Sequence, residues 1–343
     1  MVRFVGFFIG LWMFVSLTSC SDKNPYFEET GSVFHTQYHI KYQSSKVLTE
    51  DIDAELQAFN LSLNPFNPNS VIARINRNEP VEVDSWFTVV FNKSMEISEK
   101  SNGMFDITCA PLINAWGFGF SKMDEVTPEM IDSLKQFVGY RKVRLVGKGI
   151  EKDDPRLILN CSAIAKGYAC DVIADLLERN GVKNYMVEIG GEVTLKGVND
   201  KGNPWRVGIR KPEETSPGRR VTIEEVVELP HRGGVATSGD YQNYYVKDGK
   251  KYAHTINPKT GYPAEQNILS STIVANDCMT ADGYATAFNA MGLEEACRIA
   301  DSIPEIEYFF IYTDENGDYK IRYSEGMLNY LPNRKQLSIL ENP

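Results

Sequence analysis

The sequence predicts an α+β fold with largely antiparallel sheets flanked by helices. Helix-type and strand-type segments follow one another in mixed order, without the regular alternation of a parallel βαβ protein. The second half contains short β-type runs separated by Gly, Asn and Pro. After residue 31 no stretch has the composition of an interdomain linker. With 343 residues, of which 42% are hydrophobic, the chain is long enough for one large core.

Four helices are predicted in the first half. Residues 49–64 place Ile52, Leu56, Phe59 and Leu63 on one helical stripe. Residues 84–103 predict a second helix, with Asp84 or Ser85 as its N-cap and Gly103 just after its C-terminal end. Residues 127–139 begin with Thr-Pro and stop at Gly139. A further helix runs from about residue 162 to 180.

The remaining segments are mostly strands. Residues 32–42 alternate apolar and polar side chains and predict one strand. The stretch "VKDGKKY" predicts a hairpin through Asp-Gly, and residues 307–324 predict a closing hairpin. Between these hairpins, "TADGYATAFNAMG" and "LEEACRIADSI" predict two consecutive helices, the first capped by Thr280.

The N-terminus has the character of a targeting segment. Its mostly apolar run is short for a bilayer-spanning helix, which needs about 20 residues, and it fits a secretory leader better. The end of the run, "LTSC", resembles a bacterial lipobox, which makes Cys20 the lipid-bearing residue. We therefore expect a leader at 1–19, a lipidated tether at 20–31 and a folded domain at 32–335. The alternative is an uncleaved membrane anchor. Both place the domain outside the cytoplasm, in the bacterial envelope and facing the periplasm.

Net charge, cysteine spacing and missing motifs argue against several classes of function. The net charge of −10 lacks the basic footprint that binding to nucleic acid requires. No two cysteines have C-x-x-C spacing, so we expect no zinc site and treat the cysteines after Cys20 as small buried hydrophobes. No G-x-S-x-G, G-x-G-x-x-G or Walker motif is present.

Two stretches carry candidate metal and anion ligands. In "TADGYAT", Asp282 and Thr286 stand at i and i+4, and their oxygens suit Mg²⁺ or Ca²⁺. The alternative is that Asp282 compensates a helix dipole and Thr286 bonds to the helix backbone. In "NCSAIAKGYACD", small residues lead into a helix with Lys166 and Gly167 in its early turns. This pattern is typical either of an anion site or of a tight helix–sheet contact.

Three further stretches are candidates for ligand contact. Residues 103–119 combine aromatic side chains with Gly and Pro, and they suit either a stacked ring or the core. The "EIGGE" stretch, 188–192, places two glycines at a strand end, where a backbone often approaches a ligand. His254 lies between two turn sequences, as either a packing residue or a group that faces substrate.

Taken in order, these motifs resemble the ApbE family of FAD:protein FMN transferases, and the stretch "NPFNPNSVIARIN" near the start adds to the likeness. The resemblance covers residues 32–330. It implies a single α+β unit with two lobes and an FAD cleft between them. It also implies transfer of the FMN half of FAD onto a Thr or Ser hydroxyl of an acceptor flavoprotein, a respiratory or electron-transfer subunit, with Mg²⁺ as cofactor and AMP as product.

The resemblance also assigns residues. It implies Mg²⁺ ligands at Ala163 (through its carbonyl), Asp282 and Thr286. As catalytic groups we expect His254, as base or phosphate ligand, and Lys166, which would neutralise phosphate charge or form a salt bridge. The residues implied to contact FAD are Phe34, Phe66, Phe105, Asp106, Ile107, Thr108, Asn160, Lys166, Gly190, Gly191, His254 and Ile256.

Some positions depart from the family pattern. Phe34-His35-Thr36 stands where Met-Gly-Thr is usual, Phe66 where Tyr is frequent, Asn160 where Asp is usual and Ser162 where Gly is usual. The alternatives to a transferase are a Mg²⁺-dependent FAD pyrophosphatase, which uses water as the acceptor, and a lipid-anchored flavin-binding protein without turnover.

Overall fold

The largest sheet of the computed structural model has eight strands, and every neighbouring pair in it is antiparallel. The model describes residues 24–119, 126–212, 223–239, 244–247, 250–253, 255–264 and 267–332. In spatial order the strands of this sheet are β1 (Tyr26–Val33), β2 (Thr36–Gln43), β5 (Tyr185–Ile189), β6 (Glu192–Lys196), β9 (Gly233–Gly239), β12 (Ile268–Ala275), β13 (Ile306–Thr313) and β14 (Tyr319–Tyr323).

Three two-stranded antiparallel sheets accompany the large one. They pair β3 (Val143–Val146) with β4 (Gly149–Lys152), β7 (Arg206–Arg210) with β8 (Ile223–Glu228), and β10 (Tyr244–Lys247) with β11 (Lys250–Ala253). The last pair is the hairpin predicted from "VKDGKKY", and β13–β14 is the predicted closing hairpin. Together with the antiparallel large sheet they confirm the α+β prediction.

Eight helices lie in the described part of the chain. They are α1 (Thr49–Leu63), α2 (Val71–Asn76), α3 (Ser85–Lys100), α4 (Ala110–Ala115), α5 (Pro128–Lys135), α6 (Ala165–Arg179), α7 (Cys278–Met291) and α8 (Leu293–Ala300). The predicted stripe of α1 is fully buried, and Asp84 and Thr127 cap α3 and α5 as predicted. None of the described helices combines the length and the apolar character that crossing a bilayer requires.

The two faces of the large sheet cover different cores. Along β13, Tyr308 and Phe310 pack with the helices, whereas Phe309 and Ile311 pack on the opposite face with β7, β8 and the C-terminal 3₁₀ turn. This alternation follows from the two-residue period of a strand. The site lies beside the crossing of α6 and α7, and β7 from the other side of the sheet also lines it. Cys109, Cys161, Cys170 and Cys278 are buried free thiols, as predicted, and Cys297 is half-buried.

Several predicted boundaries are wrong: α6 begins at Ala165 and not near residue 162, α5 ends at Lys135 and not at Gly139, and three further boundaries differ. Residues 32–42 form a hairpin and not one strand, because Phe34 and His35 adopt positive φ angles of 52° and 60° and reverse the chain. The folded part begins before residue 32, because β1 pairs with β2 from Tyr26 onward, and Phe27 packs on Tyr42. Helix α7 begins at Cys278 with Asp277 as its N-cap, so Thr280 lies inside the helix.

Candidate active site

A cavity of about 1470 Å³ opens beside the crossing of α6 and α7. Its wall is built from the β1–β2 turn, the loop before α4, the start of α6, the β5–β6 turn, strands β7 and β9, and one face of α7. Most residues predicted to bind cofactor or metal line it: Phe34, Phe66, Phe105, Asp106, Ile107, Asn160, Ala163, Lys166, Gly190, Gly191, Ile256, Asp282 and Thr286.

Among the described residues predicted to contact cofactor or metal, Thr108 alone does not line the cavity. Thr108 is fully buried, so the cavity lining gives no support to its predicted contact with a cofactor. Its hydroxyl donates to Asp106 over 2.6 Å and accepts from the Gly139 N–H over 2.7 Å. His254 and Cys20 lie outside the described residues.

Asp106 lines the cavity but its carboxylate is used to hold the loop. One oxygen accepts from the N–H and the hydroxyl of Thr108, and the other accepts from the Tyr140 N–H over 2.9 Å. Burial raises the pKa of Asp106, and these hydrogen bonds oppose that shift. Asp106 therefore shapes the wall made by Phe105 and Ile107.

The turn between β1 and β2 forms one lip of the cavity. Phe34 packs on Phe59 with ring centroids 5.5 Å apart, and His35 packs edge-on against Phe66 at 5.3 Å. Positive φ angles are uncommon for residues other than Gly. The aromatic contacts hold both residues in that conformation, so the departure from the usual Met-Gly-Thr keeps an ordered lip.

Asn160 closes the turn that leads into α6. Its side-chain oxygen accepts from the Ser162 N–H over 2.8 Å, and its own N–H donates to the Ile107 carbonyl over 2.7 Å. A carboxylate could accept the same hydrogen bond, so the Asp-to-Asn departure preserves this turn. The turn, residues 162–164, presents Ala163 to the cavity.

Helix α7 supplies the candidate metal ligands. Asp282 and Thr286 stand one turn apart, and within α7 every residue except Thr286 is buried. The helix faces the cavity along the stripe formed by Asp282, Thr286 and Ala290. Oδ2 of Asp282 accepts from the Gly167 N–H over 2.9 Å. Burial raises the pKa of Asp282, and the charge of Lys166 and the Gly167 N–H oppose that shift.

The salt bridge that the sequence left open for Lys166 is present, and the sequence did not indicate its partner, Glu192. Lys166 Nζ lies 2.6 Å from Glu192 Oε1, and the side chain of Glu192 is only 6% exposed. Burial raises the pKa of Glu192 to about 7, with Lys166 opposing and Asp282 adding to the shift. Burial alone would lower the pKa of Lys166, but the charges of Glu192 and Asp282 outweigh it and raise that pKa. Small residues at the start of a helix allow close packing, so a lysine among them is buried and needs a counter-charge. That requirement was the signal that could have pointed to Glu192 of "EIGGE".

Strand β7 adds a second polar wall that sequence reasoning also missed. Arg206 and Arg210 stand an even number of residues apart on the strand, so they share one face, and both line the cavity. Arg206 pairs with Glu228 over 3.0 Å. The signal in the sequence was the two-residue period of "WRVGIR", which places both arginines on one face of a strand. Hydroxyls of Thr237 and Ser238 on β9 line the wall as well.

The residues at the α6–α7 crossing fit a hard divalent cation. Asp282, Thr286 and the Ala163 carbonyl offer oxygen donors, which Mg²⁺ prefers, and Mg²⁺ typically takes few protein ligands and keeps several waters. In the described part of the chain Asp282 accepts one hydrogen bond, at Oδ2, which leaves Oδ1 available. No group of three or more His, Cys, Asp or Glu side chains arranged for a metal occurs among the described residues.

Comparison with known proteins gives the same family. A model of the ApbE family matches residues 34–310. An FAD:protein FMN transferase of Vibrio cholerae is 35% identical over 318 residues, 90% of this chain and 94% of the relative. One of Haemophilus influenzae is 34% identical over 334 residues, 92% of this chain and 95% of the relative.

Solved structures agree with the sequence relatives. The flavin transferase ApbE from Vibrio cholerae superposes with a TM-score of 0.80 at 34% identity, covering 90% of this chain and 99% of that one. The apo form of the Pseudomonas stutzeri flavinyl transferase ApbE gives a TM-score of 0.79 at 29% identity, covering 90% and 97%. The resemblance inferred from the order of the motifs is thereby confirmed, and the chain belongs to the ApbE family.

Proposed function

We propose that this enzyme transfers the FMN moiety of FAD onto a Thr or Ser hydroxyl of an acceptor flavoprotein, with release of AMP and with Mg²⁺ as cofactor. The observation that carries the proposal is one cavity that brings together Asp282, Thr286, Lys166 and the Ala163 turn. The relatives named FAD:protein FMN transferase, which align over most of their length, support the same activity.

The size of the cavity supports a dinucleotide substrate. Pockets for drug-sized ligands usually enclose about 300–1,000 Å³, and this one encloses about 1470 Å³. Its lining changes from the aromatic lip at Phe34 and Phe66 to charged groups at α6, α7 and β7. An apolar end followed by a charged middle suits a flavin ring joined to a diphosphate.

The charge balance supports a requirement for a cation. Asp282 and Glu192 are two buried carboxylates beside one ammonium, Lys166, and both have raised pKa values. With both carboxylates ionised, this cluster would repel a diphosphate. Mg²⁺ held by Asp282, Thr286 and the Ala163 carbonyl would supply the missing positive charge and polarise phosphoryl oxygens.

The chain's own groups have distinct tasks in transfer. Lys166, held by Glu192, provides a fixed ammonium for the charge that develops on phosphoryl oxygens. The acceptor hydroxyl must lose its proton, and we assign that proton to His254 on sequence grounds, since an unperturbed His titrates near pH 6.5. The arginines of β7 line the same cavity; Arg206 is paired with Glu228, and Arg210 adds positive charge to the wall.

The test is a reaction of the purified protein with FAD, Mg²⁺ and a flavoprotein domain that carries covalent FMN on a threonine in its mature form. We expect AMP and a flavin mass adduct in equal amounts, with no adduct when the acceptor threonine is replaced by alanine. AMP together with free FMN and no adduct would establish a pyrophosphatase instead. FAD retained without turnover would establish a flavin carrier.

We also propose that Cys20 carries a lipid that anchors the domain in the bacterial envelope, facing the periplasm. The support is the leader-like composition of residues 1–19 and the Leu17-Thr18-Ser19-Cys20 sequence. Mass spectrometry of the N-terminal peptide tests it. A diacylglyceryl adduct on Cys20 is expected, and an unmodified peptide from membrane-expressed protein would overturn the proposal.

A further inference from the structure

Asp171, on α6, caps the start of the neighbouring helix α7. One of its oxygens accepts from the Cys278 N–H over 3.0 Å and the other from the Met279 N–H over 2.8 Å. The local N-cap, Asp277, accepts from the Thr280 N–H over 2.7 Å. The first three free N–H groups of α7 are thus satisfied, two of them by a residue more than a hundred positions away.

The capping also runs in the opposite direction. The residue before α6, Ile164, makes no side-chain cap. The Gly167 N–H, in the first turn of α6, donates instead to Asp282 of α7. Each helix therefore places a carboxylate on the N-terminal N–H groups of the other. Carboxylates at these positions also interact favourably with the positive ends of the helix dipoles.

The hydrogen bonds of Asp171 and of Asp282 both fix the position of α7 relative to α6. The helices cross at Gly167, where an added Cβ would lie 2.3 Å from the Cys278 carbonyl oxygen. Asp171 is further held by the Thr194 hydroxyl of β6 over 2.7 Å. A buried carboxylate that is carried by α6 and hydrogen-bonded to both β6 and α7 leaves α7 little freedom to slide or rotate.

We propose that Asp171 is a positioning residue for the metal site: by holding the first turn of α7 against α6 and β6, it sets the depth and rotation at which Asp282 and Thr286 face the cavity. This inference rests on the proposed Mg²⁺ site. An ordinary cap would contribute to the stability of the helix and nothing further to ligand geometry. The two roles differ in their effect on metal affinity.

The experiment measures Mn²⁺ binding to the intact protein by electron paramagnetic resonance, which needs no turnover. Asp171→Asn replaces one acceptor oxygen with an N–H₂ group that faces a backbone donor. We expect Mn²⁺ affinity to fall at least tenfold. Thr194→Val is a milder change that removes one of the three hydrogen bonds to the Asp171 carboxylate. It should lower the affinity about threefold, and it keeps the test available if Asp171→Asn fails to fold.

The matched control is Asp84→Ala, which removes the N-cap of α3, a carboxylate that accepts from the Phe87 N–H and the Ser62 hydroxyl. It should lower stability without changing Mn²⁺ affinity. Wild-type affinity in both Asp171→Asn and Thr194→Val would overturn the positioning role while leaving the metal site intact. Absence of Mn²⁺ binding to the wild-type protein would overturn the metal site and this inference together.

Discussion

Gly167 and Asp282 touch at the crossing of α6 and α7. The Gly167 N–H donates to Oδ2 of Asp282 over 2.9 Å, and a Cβ on Gly167 would lie 2.7 Å from the Cβ of Asp282. The glycine therefore lets a candidate metal ligand approach the backbone of the helix that carries Lys166. This contact accounts for the presence of glycine at position 167, because a glycine within a helix costs about 1 kcal/mol relative to Ala.

Gly167→Ala should destabilise the protein despite its better helix propensity. The new Cβ meets the Cys278 carbonyl oxygen, which is backbone and cannot rotate away. Overpacking of this kind costs about 1–3 kcal/mol. We expect a lower free energy of unfolding in urea and a loss of Mg²⁺-dependent activity. Gly149→Ala, where the nearest atom is 3.7 Å away, is the control. A Gly167→Ala protein more stable than wild type would contradict the close contact.

Thr286→Val should weaken Mg²⁺ binding, because it keeps the shape of the side chain and removes its hydroxyl. Thr286→Ser keeps the hydroxyl and should retain most of the affinity. Asp282→Ala should abolish Mg²⁺-dependent transfer. Activity measured as a function of Mg²⁺ concentration distinguishes these variants. Equal half-saturation concentrations for Thr286→Val and Thr286→Ser would exclude the hydroxyl as a ligand.

Phe66→Ala should weaken FAD binding about tenfold with little change in stability. Phe66 is 46% exposed at the cavity lip, so its loss removes a surface for the flavin and not a core contact. Leu61→Ala, at a residue that is 50% exposed and away from the lining, is the matched control. Fluorescence titration with FAD measures both. Equal affinities in the two variants would show that the lip does not contact FAD.

Glu192→Gln should flatten the pH dependence of stability in the metal-free protein. Because burial raises the pKa of Glu192 to about 7 from an unfolded value near 4.3, the folded state binds the extra proton between these values. Its contribution is complete below about pH 4 and is lost as the pH rises through 7. The wild-type free energy of unfolding should thus fall more from pH 5 to pH 8 than that of Glu192→Gln. Glu50→Gln, on the surface, should follow wild type, and identical slopes for all three proteins would refute the shift.

His254→Ala should keep FAD binding and lose transfer, because the sequence assigns the acceptor proton to this imidazole. FAD affinity by fluorescence and adduct formation by mass spectrometry separate the two effects. A transfer rate equal to that of wild type would remove both the base role and the phosphate role from this residue.

Local patterns in the sequence were sufficient for most of the architecture. The stripe of α1, the caps at Asp84 and Thr127 and the β13–β14 hairpin depend on neighbours within a few positions, and the structure contains all of them. The order of the motifs was likewise sufficient for the family, and most of the site residues predicted from it lie on the cavity wall. The turn at Phe34-His35 was missed because two short alternating strands continue one pattern when no Gly or Asn marks the reversal.

The sequence by itself thus determined the class of fold, the family and the residue types that meet at the site. Only the tertiary structure decided that Glu192 neutralises Lys166, that Thr108 and Asp106 are used to hold a loop, and that Asp171 and Asp282 cap each other's helices. The physical reason is that periodicity and capping signals act over one or two turns. The partner of a buried charge is chosen by proximity in space, and the sequence separation between such partners carries no information about it.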